Sequence, residues 1–476
     1  MIQKSVVKTV TFFNPDNGYS VLRLTDPDGK KQFTAIGIFP KLTPGETLEI
    51  EGEWTQHASF GEQFKATGHR LLAPDSQEAM ERYLGGGALK GVGPGMARKL
   101  VATFGLETFD VLDNHPERLS EIPRMTGKAK AALMKGWSAN QSMRQVLYFL
   151  QAYNLTANLS ERIYKEYGAQ SVEVLRANPY RLAHEMYGVG FLKADEVARK
   201  LGFGADAYER IEAGIEYALA KSADEGHVFL QRPELMERAR TLLQCAPEKI
   251  IFTLDALTAD DGSRVRYDGE DRFYLPYLFH SERGIARRAA LLTAAPKAIP
   301  RAIIETAITG AEAALAADRA SGFEYSEQQR VGIRNAASRG IFLLTGGPGT
   351  GKTTMVLGIL EVFKRAGLKV RLAAPTGRAA KRLTEVTGNH ASTIHRMLKW
   401  DPALKAFSHD EVSTLPTDVL VVDELSMIDT VLMFGLIKAV KPGTRLILIG
   451  DPDQLPSVGA GKVLAEFIRS GAVPHL

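Results

Sequence analysis

Residues 346–353 read Gly346-Gly347-Pro348-Gly349-Thr350-Gly351-Lys352-Thr353, directly after the apolar run Ile341-Phe342-Leu343-Leu344-Thr345. Such a run suits a parallel strand buried on both faces. Met355–Arg365 behind the loop has helical spacing, so the expected order is strand, glycine loop, helix. Glycines let successive backbone N–H groups converge, which makes the loop a cradle for phosphate. In this context the N–H groups from Gly347 to Thr353 surround the phosphates and Lys352 reaches the β and γ oxygens. The Thr353 hydroxyl is a ligand for Mg²⁺. The nucleotide-binding candidates are thus Gly346, Gly347, Pro348, Gly349, Thr350, Gly351, Lys352, Thr353 and Thr354, with Lys352 also catalytic.

Two more strands follow. Val419-Leu420-Val421-Val422 ends at Asp423-Glu424. A carboxylate at a strand end holds the metal shell, and its neighbour orients and deprotonates the attacking water. Asp423 is therefore assigned to the metal and Glu424 to general base catalysis. Arg445–Ile449 ends at Gly450-Asp451-Pro452-Asp453-Gln454, where Gln454 can sense the γ-phosphate and report its loss. Without the phosphate loop, the acidic pair would read as a helix cap and Gln454 as a turn residue. Gln329, in Tyr325-Ser326-Glu327-Gln328-Gln329, stands where it can read the adenine edge; alone it is an ordinary helix-surface glutamine. No Asn-Lys-x-Asp run occurs to read guanine.

The 476 residues are 45% apolar and 24% charged, an ordinary balance for globular domains. Cys245 is the only cysteine, which excludes an internal disulfide and a multi-cysteine zinc site. Met1–Ser5 has no apolar signal region and no stretch approaches eighteen apolar residues. The expected location is cytoplasmic, with no membrane partner. Residues 76–205 hold 17 Lys/Arg against 13 Asp/Glu, and the remainder balances at 42 against 42, so this segment carries the whole net charge of +4. A basic segment is a weak pointer to nucleic acid, and on charge alone a solvated surface is the commoner reading.

Residues 1–75 read as all-β, with runs at Val6–Phe12, Tyr19–Leu24, Gln32–Phe39, Thr47–Gln56 and Gln63–Arg70 and a turn at Asn14–Gly18. Five strands in this length suit a closed OB-like barrel, a module that either binds single strands or docks partners. Residues 76–205 turn helical, with glycine hairpins at Gly91-Val92-Gly93-Pro94-Gly95 and Gly188-Val189-Gly190-Phe191. A degenerate copy stands at Ile122-Pro123-Arg124-Met125-Thr126-Gly127 and reads as structural. These resemble helix-hairpin-helix motifs, whose N–H groups meet DNA phosphates without reading sequence. Gly91, Gly93, Gly188 and Gly190 are the DNA-binding candidates there; such turns also simply join packed helices. Residues 206–318 suggest a winged-helix-like connector, from helices near Ile211–Ser222 and Pro233–Leu243, the hairpin Arg264–Tyr274, and a helix Ile303–Arg319.

Together the motifs over 325–461 resemble RecD-like DNA helicases of superfamily 1, the branch that moves 5′→3′. The first 205 residues look like that family's long N-terminal extension. The resemblance implies a multidomain α/β chain: barrel, helix-hairpin-helix bundle, connector, and a first RecA-like parallel-sheet lobe over 319–476. It implies ATP and Mg²⁺ as cofactors, single-stranded DNA and strand/duplex junctions as partners, and a role in recombination or repair. It adds Pro375, Thr376, Gly377 and Arg378 as a loop facing DNA, Ser392–Arg396 as the next element, and a strand-separating pin hairpin over 399–409. On the residues alone, the first is a strand-to-helix turn and His395 a packed residue. The chain stops 22 residues after Gln454 (476 minus 454), whereas the family continues into a second RecA-like domain. That domain supplies an arginine worth a factor of about 10³–10⁵ in phosphoryl transfer. The expectation is an N-terminal portion with impaired unwinding; the alternative is a nucleotide-sensing, DNA-binding module.

Overall fold

The computed structural model describes all residues except 15–17, 27–30, 40–41, 43, 58–60, 73–76, 86–91, 124, 154, 156, 187, 260–261, 295, 320–321 and 348. Gly91, Pro348, Arg124 and the centre of the expected Asn14–Gly18 turn lie outside the described residues. The chain divides into two compact units, Met1–Arg210 and Ile211–Leu476.

The first unit opens with strands β1 (Ile2–Phe13), β2 (Tyr19–Thr25), β3 (Gln32–Ile38), β4 (Thr47–His57) and β5 (Gly61–Leu72). They close in the order β1-β2-β3-β5-β4, with a parallel β3–β5 pair completing an otherwise antiparallel barrel. Alternation drives the closure: Leu22 and Leu24, Ala35, and Leu48 and Ile50 point inward and are fully buried. Trp54 and Phe33 pack edge-on, with ring centres 5.3 Å apart, and Trp54 meets Phe64 at 5.4 Å. A bulge between Glu51 and Gly52 bends β4 against β5. A side chain at Gly52 would lie 2.1 Å from the Lys65 carbonyl oxygen, so only glycine fits that bend. Closure removes the open edges that short strands otherwise expose.

Helices follow, among them Gln77–Gly85, Pro94–Phe104, Gly127–Ala152 and Phe191–Lys200. The helices after the two full glycine hairpins start alike. Gly93 caps Pro94–Phe104 at φ −88°, ψ 170°, and Gly190 caps Phe191–Lys200 at φ −89°, ψ 173°, both without a side-chain cap. The degenerate copy differs, because the Thr126 hydroxyl accepts the Ala129 N–H at 3.2 Å. Its helix satisfies its own amide, as a structural turn would. Behind Gly190, Asp195 accepts hydrogen bonds from Tyr180 Oη at 2.8 Å and Arg210 Nε at 2.8 Å. Arg210 is 1% exposed and also donates to the Ala205 carbonyl at 2.7 Å.

The second unit contains the three-stranded sheet β6-β8-β7, built from β6 (Phe229–Gln231), β7 (Arg266–Tyr267) and β8 (Arg272–Tyr274). Helix Tyr208–Asp224, whose first turn belongs to the first unit, and helices Arg232–Leu243, Pro247–Ala259 and Pro276–Leu292 accompany it. The expected Arg264–Tyr274 hairpin is present, its turn formed with Gly269 at φ 89° and Asp271 at φ 63°. Beyond the helices Arg301–Arg319 and Glu327–Ser338 comes the nucleotide lobe. Its strands are β9 (Ile341–Thr345), β10 (Val370–Ala374), β11 (Ala391–Thr393), β14 (Val419–Val422) and β15 (Arg445–Gly450). They form one parallel sheet in the order β11-β10-β14-β15-β9. Two apolar cores sandwich it, one around Leu343, Leu420 and Leu448 and one around Phe342, Val421 and Ile447. Burial on both faces explains why these strands read as unbroken apolar runs. A hairpin of β12 (Trp400–Asp401) and β13 (Ala406–Phe407) stands between β11 and β14.

Candidate nucleotide site and nucleic-acid interface

The parallel order places the loops after β9, β10, β14 and β15 at the same, carboxyl end of the sheet, where ligands of such sheets bind. There, Gly347, Gly349, Thr350, Gly351, Lys352, Thr353 and Thr354 line a cavity of about 400 Å³ with Asp423, Glu424 and Gln454. Gly346 stands just behind it, its carbonyl accepting from Lys352 Nζ. The loop turns through left-handed backbone at Gly349 (φ 77°) and Gly351 (φ 87°). A side chain at Gly351 would meet Gln329 Nε2 at 2.5 Å, so the amide of Gln329 lies against the loop. Its Oε1 accepts the Ser326 N–H at 3.0 Å while the Ser326 hydroxyl accepts the Gln329 N–H at 3.2 Å. This reciprocal cap fixes Gln329 at the start of its helix.

Lys352 Nζ donates to the Gly347 carbonyl at 2.8 Å and stands 3.8 Å from Asp451 Oδ2. The Asp423 Oδ1 atom accepts the Glu424 N–H at 2.9 Å. Burial pushes the Asp423 carboxyl up, against the opposing effects of that N–H and the charges of Arg382 and Lys352. Glu424 is raised first by burial and then by the charge of Asp423. Two neighbouring carboxyls held above their ordinary range mark a site prepared for cation and proton chemistry. Glu424 also has φ 57°, ψ 47°, a left-handed conformation uncommon for glutamate and concentrated at functional sites.

Two cavity residues were not singled out from the sequence. Asp451 is 1% exposed, and its Oδ2 is a buried atom without a hydrogen-bond partner. Its signal was present, an acidic residue at the end of an apolar strand three positions before Gln454. Arg382 lines the cavity from the helix Gly377–Thr387, one turn after Arg378. Only the helical spacing from Arg378 hinted at it.

Pro375, Thr376, Gly377 and Arg378 follow β10 at the same end of the sheet. The Thr376 hydroxyl accepts the Ala379 N–H at 3.2 Å and caps the helix. His395, expected to be packed, is exposed; its ring meets Trp400 at 6.2 Å and Phe407 at 5.7 Å, at the base of the β12–β13 hairpin. Gly93, Gly188 and Gly190 belong to the first unit.

The donor set fits a magnesium nucleotide. Loop N–H groups and Lys352 suit phosphate, while a hydroxyl and carboxylates are the hard oxygen donors that Mg²⁺ takes beside phosphate oxygens. The buried Asp451 Oδ2, ion-paired with Lys352 but accepting no hydrogen bond, supplies a further acceptor.

Sheet order and cavity define a P-loop nucleotide-binding lobe that follows an OB-type barrel and a helical hairpin domain along the chain. Family models match in the same order: an OB-fold domain of ATP-dependent DNA helicase YrrC over residues 2–74, the HHH domain of ATP-dependent RecD2 DNA helicase over 139–229, and an AAA domain over 329–460. The ATP-dependent RecD2 DNA helicase of Deinococcus radiodurans is 33% identical over 484 residues, covering 96% of this chain and 65% of that protein. The RecBCD enzyme subunit RecD of Mycolicibacterium smegmatis is 45% identical over 167 residues, 30% of each chain. The ATP-dependent DNA helicase dda of phage T4 is 38% identical over 125 residues, 25% of this chain and 28% of its own. In domain order and over 96% of its length the chain is similar to RecD-like helicases. It spans 65% of the length of the Deinococcus relative. Among the described residues, no helix is long and apolar enough to cross a membrane.

Proposed function

We propose that the chain acts as an ATP-dependent 5′→3′ DNA helicase or translocase of the RecD type in recombination or repair. Its partners are then single-stranded DNA and strand/duplex junctions, and its location is the cytoplasm. The observation that carries this reading is the meeting of Lys352, Thr353, Asp423, Glu424 and Gln454 on one cavity. Polarity rests on the family likeness alone. We divide the chain for this purpose into a barrel (1–75), a DNA-binding helical bundle (76–205), a winged-helix-like connector (206–318) and the motor lobe (319–476).

In this mechanism the loop N–H groups and Lys352 hold the β and γ phosphates, and Gln329 orients the adenine. Thr353 and Asp423 would hold Mg²⁺, which would neutralise phosphate charge. Glu424 orients water and takes its proton, and Gln454 relays loss of the γ-phosphate to its loop. Pro375–Arg378 holds the translocated strand, the β12–β13 hairpin parts the duplex, and the Gly93, Gly188 and Gly190 hairpins grip phosphates.

The test is ATP hydrolysis by the 476-residue chain with and without single-stranded DNA, beside Lys352→Ala. DNA-stimulated turnover, abolished in Lys352→Ala, supports a motor. Nucleotide and DNA binding without turnover would replace it with a nucleotide-sensing module.

A further inference from the structure

The second unit holds, besides the nucleotide site, a second and larger cavity. It is a groove of about 1290 Å³ along the β10–β11 edge of the sheet. Five cations line it: Lys364 and Arg365 at the end of the helix Lys352–Arg365, Arg371 on β10, and Arg396 and Lys399 before the hairpin. The acidic side chain facing them is Glu361, whose Oε1 already accepts from Arg365 Nε at 2.7 Å. Lys364, Arg371, Arg396 and Lys399 are exposed and make no ion pair among the described residues. Four unpaired cations in one groove repel each other, and a polyanion relieves that repulsion.

Place in the fold narrows the polyanion. Arg371 lies near the start of β10, whereas Pro375–Arg378 follows its end. The groove then runs to Lys399, which immediately precedes the first hairpin residue, Trp400. The hairpin base thus adjoins a cationic channel distinct from the Pro375–Arg378 loop.

We infer that this groove is the track for the second DNA strand, the one parted at the hairpin from the strand held by Pro375–Arg378. The inference rests on the helicase reading above and adds the path of the strand not being translocated. Recognition is by phosphate, so binding is independent of sequence and weakens with salt.

The test compares three fluorescent DNAs by anisotropy: a single strand, a duplex with one 5′ tail, and a fork with two single-stranded arms. The protein is wild type or the double variant Lys364→Glu, Arg371→Glu, with nucleotide binding measured on each as a check of folding. The second arm is expected to strengthen wild-type binding roughly tenfold, and the variant to lose that gain. The slope of log affinity against log salt for the fork falls by about 1.4, or ~0.7 for each lost single-strand phosphate contact. Affinity for the single strand and for nucleotide stays unchanged. Equal losses on the single strand and the fork, or no gain from the second arm in wild type, would overturn the inference while leaving the helicase reading standing. A wild-type protein that binds none of the three DNAs would overturn both.

Discussion

Arg382 stands four residues after Arg378 on the helix Gly377–Thr387, so a single turn separates the proposed DNA loop from a cation lining the nucleotide cavity. Its charge pulls both Asp423 and Glu424 downward, against burial, which raises each. In the proposed role of general base, Glu424 must be ionised to work. Hydrolysis is therefore lost as pH falls through a value above the 4.5 of an ordinary glutamate. Arg382→Gln removes one of the lowering charges, so its acid limb should move to still higher pH. Profiles of rate against pH at saturating nucleotide check this; an unmoved limb would take Arg382 out of the field at Glu424. The loop residues, Asp423 and Glu424 were legible because each ends or follows an apolar run with a fixed chemical spacing. Arg382 and Asp451 were not, since their roles depend on which way a helix face and a strand end point in space.

Elements were most legible where a period of two or a glycine turn marks them, as in the five barrel strands. The helix Pro247–Ala259 was not anticipated, because Ile250, Ile251 and Phe252 form a short apolar run that suits strand and helix equally. Nor does local pattern show what steadies the helix Phe191–Lys200 behind the Gly190 hairpin. That is Asp195, held by Tyr180 and the buried Arg210 across 15 residues in each direction. Burial pushes the Asp195 carboxyl up, but hydrogen bonds from Arg210 and Tyr180 and the charges of Arg210 and Arg199 outweigh it, so the net shift is downward. A lowered carboxyl contributes stability that is present above the ordinary value of 3.8 and lost as pH falls through the folded value. Asp195→Ala should destabilise the first unit by about 3–5 kcal/mol, because it strands a buried guanidinium. Urea unfolding near neutral pH should show that loss. As pH falls below the ordinary 3.8 and through the lowered folded value, the wild-type carboxyl loses its charge and the gap should narrow. A gap that stayed constant with pH would mean the loss comes from packing rather than from the ion pair.

At the scale of the molecule, two compact units each carry their own buried cores, and a boundary after Ala205 was expected where the first unit runs on to Arg210. Arg210 belongs with the first unit because its guanidinium bonds back to Asp195 and Ala205, a long-range tie invisible to composition. Cores that are separately complete unfold as separate cooperative steps. The phosphate loop, Asp423, Glu424 and Gln454 all lie in Ile211–Leu476, so a magnesium nucleotide can stabilise only that unit directly. At a ligand concentration of about 100 Kd the gain is about 2.7 kcal/mol. Calorimetry should therefore resolve two transitions, with nucleotide raising one and leaving the other in place. Hydrogen exchange should assign the raised transition to the sheet strands β9, β14 and β15, and the unmoved one to the barrel. Lys352→Ala should abolish the shift without altering either transition in the absence of nucleotide. A single transition that nucleotide moves as a whole would instead mean that the two units are coupled in folding, and that binding at the loop is felt by the N-terminal barrel.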